Sequence, residues 1–336
     1  MKAVIHFFSG TGNTARAAEI VAARLEAAGY EVARRAIAGG TEPPAGVPDL
    51  TVVAFPIWAW AAPHFVLEYV RRLPKGQGAA AAALATCGGF GAQGVGEMER
   101  ALRRRGYRVV ASGEAVYPDN WLLAVNPPTG TELEDALAEG DRVVRLFADN
   151  CTSDEPVRFR CGWGHVLWSW PIARLFRLCG RRFLGKFFVA DDRCTACGLC
   201  AAACPAQAIR MSGAPARPRW DANCAGCYRC INLCPAQAIQ ISIPRLAIHV
   251  GLNLALTVGW MWILSVWPGR FPLVCGAATA VYVALTVFQL IAVDGLLRVL
   301  ETRPALRRFF AASYTKNFRR YRAPGFRPGP SGALSR

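Results

Sequence analysis

The stretch that decides the fold runs from Cys194 to Ile239. It reads CTACGLCAAACPAQAI and then, after a short interval, CAGCYRCINLCPAQAI. Each half has the spacing C-x2-C-x2-C-x3-C followed by proline, at Pro205 and Pro235. Because the letters CPAQAI recur unchanged, the two halves are predicted to be copies of one structural unit.

This spacing is typical of bacterial ferredoxins, in which three close thiolates hold one [4Fe–4S] cluster and the fourth cysteine reaches across to the other cluster. Two zinc sites or a disulfide framework are the alternatives. Zinc sites rarely close on Cys-Pro and often include histidine. A disulfide framework needs an oxidising compartment, and the first residues are better explained as a strand than as a signal peptide. The predicted ligand sets are Cys194, Cys197, Cys200 and Cys234 for cluster 1, and Cys224, Cys227, Cys230 and Cys204 for cluster 2.

Charge divides the chain unevenly. Residues 1–150 carry 15 Lys/Arg against 16 Asp/Glu, whereas residues 151–336 carry 24 against 7, so the net charge of +16 lies in the second half. The cysteines outside the two ligand sets are odd in number and show no pairing pattern, which favours a reducing compartment. They are Cys87, Cys151, Cys161, Cys179 and Cys275.

The first 150 residues alternate between apolar strands and amphipathic helices. Ala3–Phe8 reads as a buried strand and Ala15–Ala28 as a helix, and a loop of small polar residues joins them. Such a loop presents backbone N–H groups and a helix N-terminus to a phosphate. The Walker pattern is absent. The loop residues are Ser9, Gly10, Thr11, Gly12, Asn13 and Thr14.

This loop resembles the FMN phosphate loop of flavodoxins, [ST]-G-[ST]-G-N-[ST]. The resemblance implies a flavodoxin-like doubly wound parallel sheet over residues 1–150 that binds FMN at the carboxyl ends of its strands. Two later strands, Leu50–Phe55 and Ala79–Thr86, lead into the loops that would hold the flavin ring. The candidates there are Pro56, Ile57, Trp58, Ala59 and Trp60, and Thr86, Cys87, Gly88, Gly89 and Phe90.

Two features of these loops have competing interpretations. Gly89–Gly94 also spells G-x-G-x-x-G, a weak nicotinamide signal that we interpret as part of the flavin loop. One of Trp58 and Trp60 is expected to cover the flavin ring, although a packed aromatic is the commoner role of tryptophan. Beyond these loops, Arg108–Val116 is a predicted strand and Glu132–Ala148 a predicted closing helix.

Residues 151–190 form a basic, aromatic connector before the ferredoxin-like domain at 191–243. Such a segment lies on an anionic membrane surface or packs against neighbouring domains, and periodicity cannot separate these alternatives. Nucleic acid is not an expected partner, because no DNA- or RNA-binding module is recognisable.

A transmembrane hairpin is predicted over residues 244–294. Leu246–Trp267 and Leu273–Val293 are uncharged and long enough to span a membrane, and the residues between them form a turn with Arg270. Residues 295–336 form a basic tail with 10 Lys/Arg and one acid, so both ends are expected on the cytoplasmic side. Trp260, Trp262 and Trp267 suit an outer aromatic belt. His249 and Asn253 share a face, which suits helix packing or a quinone contact.

The order of these motifs resembles the flavodoxin–ferredoxin fusion proteins called EFR family ferredoxins. The resemblance covers about residues 1–243 and RRYRAP around Tyr321. The hairpin and Cys87, which stands where an aromatic is often found, depart from the family pattern. The resemblance implies electron transfer through FMN and two [4Fe–4S] clusters.

We therefore expect a carrier at the cytoplasmic membrane that exchanges electrons with redox proteins. Clusters pass single electrons, whereas a flavin holds one or two, and these cofactors carry the chemistry. The alternative is a flavin-dependent reductase of a quinone or small substrate, with the clusters as an internal wire. A quinone or a membrane reductase is a possible partner in either case, and no catalytic side chain is predicted.

Overall fold

The computed structural model describes residues 1–38, 40–266, 272–301 and 303–327. Its first domain is a five-stranded parallel sheet with strand order β2-β1-β3-β4-β5. This is the flavodoxin-like doubly wound order. The strands are β1 (Lys2–Phe7), β2 (Glu31–Ala36), β3 (Leu50–Pro56), β4 (Ala80–Cys87) and β5 (Arg108–Val116). The helices are α1 (Asn13–Ala27), α2 (His64–Arg72), α3 (Gly94–Arg104) and α4 (Gly130–Asn150).

Both faces of the sheet are covered, which explains the uninterrupted apolar strands β3 and β4. One core packs α1 and α4 around Ile5, Val21 and Phe147. The other packs α2 and α3 around Phe55, Val66 and Met98. The predicted doubly wound sheet is confirmed. Strand β2 did not show in the sequence pattern because its sequence, EVARRA, is polar and largely exposed at the sheet edge.

The connector contains helix α5 (Trp163–Leu175), a π turn at Phe176–Gly180 and the short helix α6 (Arg181–Leu184). Its inward side buries Ser169 and Ala173, and Arg177 pairs with Glu97 of α3 at 2.7 Å. Its outward side leaves Trp163 and Leu167 90% and 80% exposed. The connector therefore packs against the first domain on one side and presents an apolar surface on the other.

The cysteine-rich domain is built from two short antiparallel pairs. Strand β6 (Phe188–Ala190) pairs with β9 (Ile239–Ile241), and β7 (Ile209–Ser212) pairs with β8 (Arg217–Trp220). One short helix in each half contains the third cysteine of that half, α7 (Leu199–Ala202) with Cys200 and α8 (Arg229–Leu233) with Cys230. The repeat in the sequence is thus a repeat in the fold.

Two long apolar helices follow, α9 (Ile243–Val266) and α10 (Pro272–Leu300). Both are long and apolar enough to cross a membrane, with mean hydropathies of 1.6 and 2.0. Only 6% and 22% of their most apolar windows is buried in the protein, so they are not core helices. The predicted turn at 268–272 lies almost wholly outside the described residues, as do Trp267 and Arg270.

Polar side chains join α9 to α10 at three levels. His249 Nδ1 lies 3.3 Å from Gln289 Oε1, Thr257 bonds to Tyr282 at 3.1 Å, and Trp260 Nε1 donates to Thr279. Interhelical hydrogen bonds of this kind hold membrane helices together. Asn253 donates to the His249 carbonyl at 2.8 Å within α9. The helix-packing interpretation of the His249–Asn253 pair therefore has direct geometric support.

A buried ionic network joins the hairpin to the cysteine-rich domain. Asp294 of α10 accepts from Lys186 at 3.0 Å and from Arg245 of α9 at 3.2 Å. Arg245, only 2% exposed, also pairs with Glu301 and donates to the Lys186 carbonyl. Removing one partner from such a buried set is costly, about 3–5 kcal/mol, because a charge is left unpaired. The network therefore fixes the hairpin relative to the redox domains.

The segment after the hairpin does not extend away as a free tail. Helix α11 (Pro304–Phe310) is followed by a 3-10 turn at Tyr314–Asn317, and the chain then runs back over both domains. Tyr314 donates to the Leu123 carbonyl at 2.7 Å, and Thr315 to Gln240 at 2.9 Å. The basic tail predicted at 295–336 is therefore, up to residue 327, a packed part of the fold.

Candidate redox site

The two cysteine-rich halves exchange backbone hydrogen bonds in matching positions. The Asp191 N–H donates to the Ala238 carbonyl, and the Asp221 N–H donates to the Ala208 carbonyl, both at 2.9 Å. The fourth cysteine of each run accepts a backbone N–H at 3.3 Å, from Ala208 to Cys204 Sγ and from Ala238 to Cys234 Sγ. Hydrogen bonds to ligand sulfurs are one of the protein's means of setting a cluster potential.

The thiols assemble into two groups that draw on both halves. Burial, together with the neighbouring thiols of Cys234, Cys194 and Cys197, raises the pKa of Cys200 to about 11. Burial likewise raises the pKa of Cys230, whose thiol neighbours are Cys227, Cys224 and Cys204. The structure therefore brings together the same two sets that the spacing predicts, each with its fourth member from the other half.

Four cysteine thiols match the ligand chemistry of an iron–sulfur cube, which binds one thiolate at each iron. Among the described residues, no three His, Cys, Asp or Glu side chains converge as ligands of a single metal ion would. Each set would supply all four ligands of one cluster.

A cleft at the carboxyl ends of β1, β3, β4 and β5 brings the predicted flavin loops together. Eleven of the sixteen flavin candidates line it. They are Ser9, Gly10, Thr11, Asn13, Thr14, Pro56, Ile57, Trp58, Thr86, Cys87 and Gly88. The exit loop of β5 adds Pro118, Asp119 and Asn120, which the sequence marked as a loop but not as site residues.

The phosphate loop has the geometry of an anion cradle. Gly12 has φ +115°, a conformation that favours glycine, and its N–H donates to Ser9 Oγ at 3.1 Å. None of the described side chains caps the N-terminus of α1, and an uncapped helix N-terminus next to the cleft suits a phosphate. The Thr14 and Thr86 hydroxyls are hydrogen-bonded at 2.7 Å, and the Asn13 side-chain amide donates to the Pro118 carbonyl at 3.0 Å. These bonds join three of the loops.

Five flavin candidates lie outside the cleft lining. Gly12 lies behind it, and Trp60 packs edge-on against Trp168 of the connector at 4.8 Å. Phe90 packs against His165 at 4.6 Å. Trp58 is therefore the tryptophan that faces the cleft, with Phe8 and Phe65 behind it. The other two candidates outside the lining are Ala59 and Gly89.

Cys87 lines the cleft as a neutral thiol. It is buried, which raises its pKa to about 12, and its Sγ lies 4.0 Å from the Ala115 carbonyl. A thiol in this state is a weak nucleophile because the thiolate is the reactive form. Cys87 therefore contributes shape and polarisable surface to the cleft.

The C-terminal segment closes the back of the phosphate loop. The Ala323 N–H donates to the Thr11 carbonyl at 2.8 Å, and the Tyr321 hydroxyl donates to Asn13 Oδ1. A Cβ on Gly12 would lie 2.6 Å from the Ala323 side chain, so the two segments are in close contact. The sequence signal for this contact was only the RRYRAP resemblance, which gave no position in space.

The cleft also contains a ligand of the second cluster. Cys227 lines the same cavity as the phosphate loop and the two predicted ring loops. Its neighbour Asn232 of α8 donates to the Asn120 carbonyl at 3.3 Å and accepts from the Tyr321 N–H at 3.0 Å. The predicted ligand set of cluster 2 therefore lies against the flavin cleft. Set 1 includes the exposed Cys197.

Arg229 is a buried cation between the two sites. It is 4% exposed, and its guanidinium lies 6.0 Å from the centre of the Phe8 ring, beside the phosphate loop. Burial lowers the pKa of Arg229, while its neighbours Cys227 and Cys204 oppose that shift. Its Nε has no hydrogen-bond partner among the described residues. Its positive charge is therefore directed at the thiolates of set 2.

Comparisons with known proteins agree with this division. A family model for the 4Fe-4S dicluster domain matches residues 187–241. Among solved structures, the chain is similar to an archaeal flavodoxin (16% identity, 46% of this chain and 100% of that chain, TM-score 0.31). It is also similar to two-electron reduced Megasphaera elsdenii flavodoxin (19%, 44% and 98%, TM-score 0.33). No curated protein matches the chain.

The strand order, the phosphate loop and the dicluster match identify the two domains. Those features define the class as an iron–sulfur flavoprotein of electron transfer. The chain is a fusion of a flavodoxin-like domain with a 4Fe-4S dicluster domain, as its sequence predicts.

The contact between Tyr321 and Asn13 should support flavin binding. We expect Tyr321→Phe to weaken FMN affinity about three- to tenfold, because the lost hydrogen bond positions the phosphate loop. Flavin fluorescence titration of the apoprotein measures this. Tyr314→Phe is the control, since it removes the same hydroxyl from a contact with Leu123. Equal affinities in both variants would contradict the role of Tyr321.

The charge of Arg229 should raise the reduction potential of the cluster held by set 2. Reduction adds negative charge, so Arg229→Gln is expected to lower that potential by about 50–100 mV, or about 1–2 kcal/mol for one electron. Redox titration followed by electron paramagnetic resonance measures both clusters. Arg210→Gln removes an exposed charge from the same domain and should leave both potentials unchanged. An unchanged set 2 potential in Arg229→Gln would refute the assignment.

Proposed function

We propose that the protein is a membrane-anchored electron carrier in which FMN exchanges electrons with cluster 2, and cluster 2 with cluster 1. The observation that carries this proposal is the cavity shared by the phosphate loop and Cys227. Electron transfer slows steeply with distance, so the cofactor whose ligand lines the flavin cleft is the natural first partner. The exposed Cys197 makes cluster 1 the natural contact for an outside redox protein.

Different residues of the chain would bind the FMN phosphate, orient the flavin ring and set the charge near cluster 2. The uncapped start of α1 would bind the FMN phosphate, and Ile57, Trp58 and Gly88 would border the flavin ring. Bound FMN supplies a centre that takes one or two electrons, and each [4Fe–4S] cluster supplies a one-electron centre. The positive charge of Arg229 would favour the reduced form of cluster 2.

Anchoring at the cytoplasmic membrane is the second part of the proposal. The two apolar helices support it, together with the exposed Trp163 and Leu167 on α5, which suit an interfacial helix. The packing of residues 314–326 against the redox domains supports a hairpin with both ends on one side of the membrane. The positive charge of this side favours the cytoplasm.

A reductase acting on a quinone is the competing function, and one observation favours it. His249 Nε2 and Gln289 Nε2 are buried at the inner end of the hairpin without hydrogen-bond partners among the described residues. The Phe187 ring packs against His249 at 6.0 Å. Turnover of a quinone by the purified protein, lost in His249→Leu, would favour the reductase over the carrier.

Two matched cysteine variants test the ligand sets and the order in which FMN and the two clusters exchange electrons. Protein purified anaerobically in detergent should hold about eight iron, eight sulfide and one FMN per chain. Cys204→Ser and Cys234→Ser occupy equivalent positions in the two halves, and each should lose about half of the iron. We expect reduced FMN to pass electrons to the remaining cluster rapidly in Cys234→Ser but slowly in Cys204→Ser. Stopped-flow spectroscopy measures this difference.

Two outcomes would contradict the proposal. Full iron content without flavin, even after addition of FMN, would remove the flavodoxin-like domain from the electron path. Equal transfer rates in the two variants would show that cluster 2 is not the first partner of the flavin.

Membrane anchoring should be visible in the full-length chain expressed in bacteria. We expect the protein to stay in the membrane pellet after alkaline carbonate washing, because about 20 apolar residues in each span hold it in the bilayer. Immunoblotting of pellet and supernatant measures this. Release into the supernatant would indicate surface attachment in place of spanning helices.

A further inference from the structure

A cavity of about 130 Å³ lies at the base of the hairpin, away from the flavin cleft. Its walls come from the β7–β8 hairpin of the dicluster domain, the start of α9, the end of α10 and α11. This volume is large enough for a phosphate group, since a single water needs only about 10–15 Å³ by the same kind of measure. The cavity has no role in the electron path proposed above.

The lining of this cavity is strongly basic. Five arginines border it, and Glu301 is the one acidic side chain among its described lining residues. The arginines are Arg217, Arg219, Arg245, Arg298 and Arg307. Guanidinium groups bind phosphate through paired, directional hydrogen bonds, which distinguishes such a site from a diffuse basic surface.

The existing ion pairs leave donors available within the cavity. Arg245 is committed to Glu301 and Asp294, and Arg298 directs its Nε to Asp294. Arg219, by contrast, donates one long hydrogen bond of 3.4 Å to the Arg298 carbonyl. The Nε of Arg217 is buried without a partner among the described residues, while another nitrogen of the same guanidinium donates to the Asp191 carbonyl at 2.6 Å. The cavity therefore gathers more donors than its own acceptors satisfy.

The position of the cavity suggests where its ligand comes from. Arg245 lies at the start of the first apolar helix, and Arg298 lies near the end of the second. Both mark the level at which lipid headgroups meet the cytoplasm if the hairpin spans the membrane. Basic pockets at this level bind anionic headgroups.

We propose that this cavity is a phosphate-binding site, occupied by the headgroup of an anionic phospholipid. The lipid source rests on the membrane anchoring proposed above, whereas the phosphate chemistry rests on the arginines alone. A bound headgroup would bridge the dicluster domain and both apolar helices. It would therefore hold cluster 1 and cluster 2 at a fixed height above the bilayer.

Native mass spectrometry of the full-length holoprotein in detergent tests this proposal with phosphatidylglycerol as the probe. We expect one tightly held phosphatidylglycerol, bound about tenfold more weakly by Arg219→Gln, since a charge-assisted hydrogen bond is worth about that factor. Arg219 is the chosen position because it takes no part in the Asp294 network. Phosphatidylcholine should bind equally poorly to the wild-type protein and to Arg219→Gln.

Arg303→Gln is the matched control, because Arg303 is an exposed cation near the end of α10 that does not line the cavity. Iron content and the visible spectrum confirm that each variant folds. Glycerol phosphate separates the two sources of the ligand. If it displaces phosphatidylglycerol at similar concentration, the site serves a soluble phosphate, which upholds the phosphate chemistry and rejects the lipid.

Equal phosphatidylglycerol binding by wild type, Arg219→Gln and Arg303→Gln would overturn the proposal. This failure is distinguishable from failure of the proposed electron path, which depends on flavin and cluster transfer rates. It is also distinguishable from failure of membrane anchoring, since glycerol phosphate binding that depends on Arg219 would survive in a protein that does not span the bilayer.

Discussion

The constraint on which the arrangement depends is the short separation between the flavin cleft and the second cysteine set. Electron transfer weakens steeply with distance, so two redox domains on a flexible linker would exchange electrons only when they meet. Here Cys227 forms part of the cleft wall, and Asn232 of α8 donates to the Asn120 carbonyl. In the carrier proposed above, the interface between the domains would itself be the electron path, and the packing around it would keep that path short.

The route of the chain follows from this constraint. Residues 314–326 leave the second apolar helix and return to the redox domains, where Tyr321 contacts both Asn232 and Asn13. A single membrane span would place this segment on the opposite side from its contacts. If the apolar helices span a membrane, as proposed above, the packing requires an even number of spans, independently of the positive charges that also favour it. The pairing of two apolar helices and the return of residues 314–326 to the redox domains both follow from this requirement.

Much of this fold is predictable from local sequence. The cysteine spacing, repeated in two halves, predicts both crossed sets because it is a short-range pattern with few structural solutions. The strand–loop–helix alternation predicts the sheet, and the resemblance of its first loop to the flavodoxin phosphate loop predicts eleven of the residues that line the cleft. Strand β2 was missed because its exposed edge position imposes no apolar alternation. The choice between Trp58 and Trp60 depended on the connector helix, through Trp168.

The other features that the sequence did not predict depend on long-range contacts between charged or polar groups. Arg229 reads as an ordinary surface cation, yet it is buried beside the second cysteine set. Asp294 lies at the end of an apolar run, yet it pairs with Lys186 and Arg245 from two other segments. Such partners are distant in sequence and do not recur at a regular spacing. A local stretch of sequence therefore gives no sign of them.

The buried charges at the base of the hairpin have a consequence beyond stability. A buried ion pair is often no more stabilising than a well-packed apolar contact, because both charges lose their hydration. Its geometric requirement is much stricter, since Asp294 must meet Lys186 and Arg245 at hydrogen-bond distance. The network is therefore better suited to orienting the dicluster domain on the hairpin than to strengthening the fold. Such an orientation would suit the membrane-attached carrier proposed above, in which the exposed face at Cys197 would meet its partners at a constant angle and height.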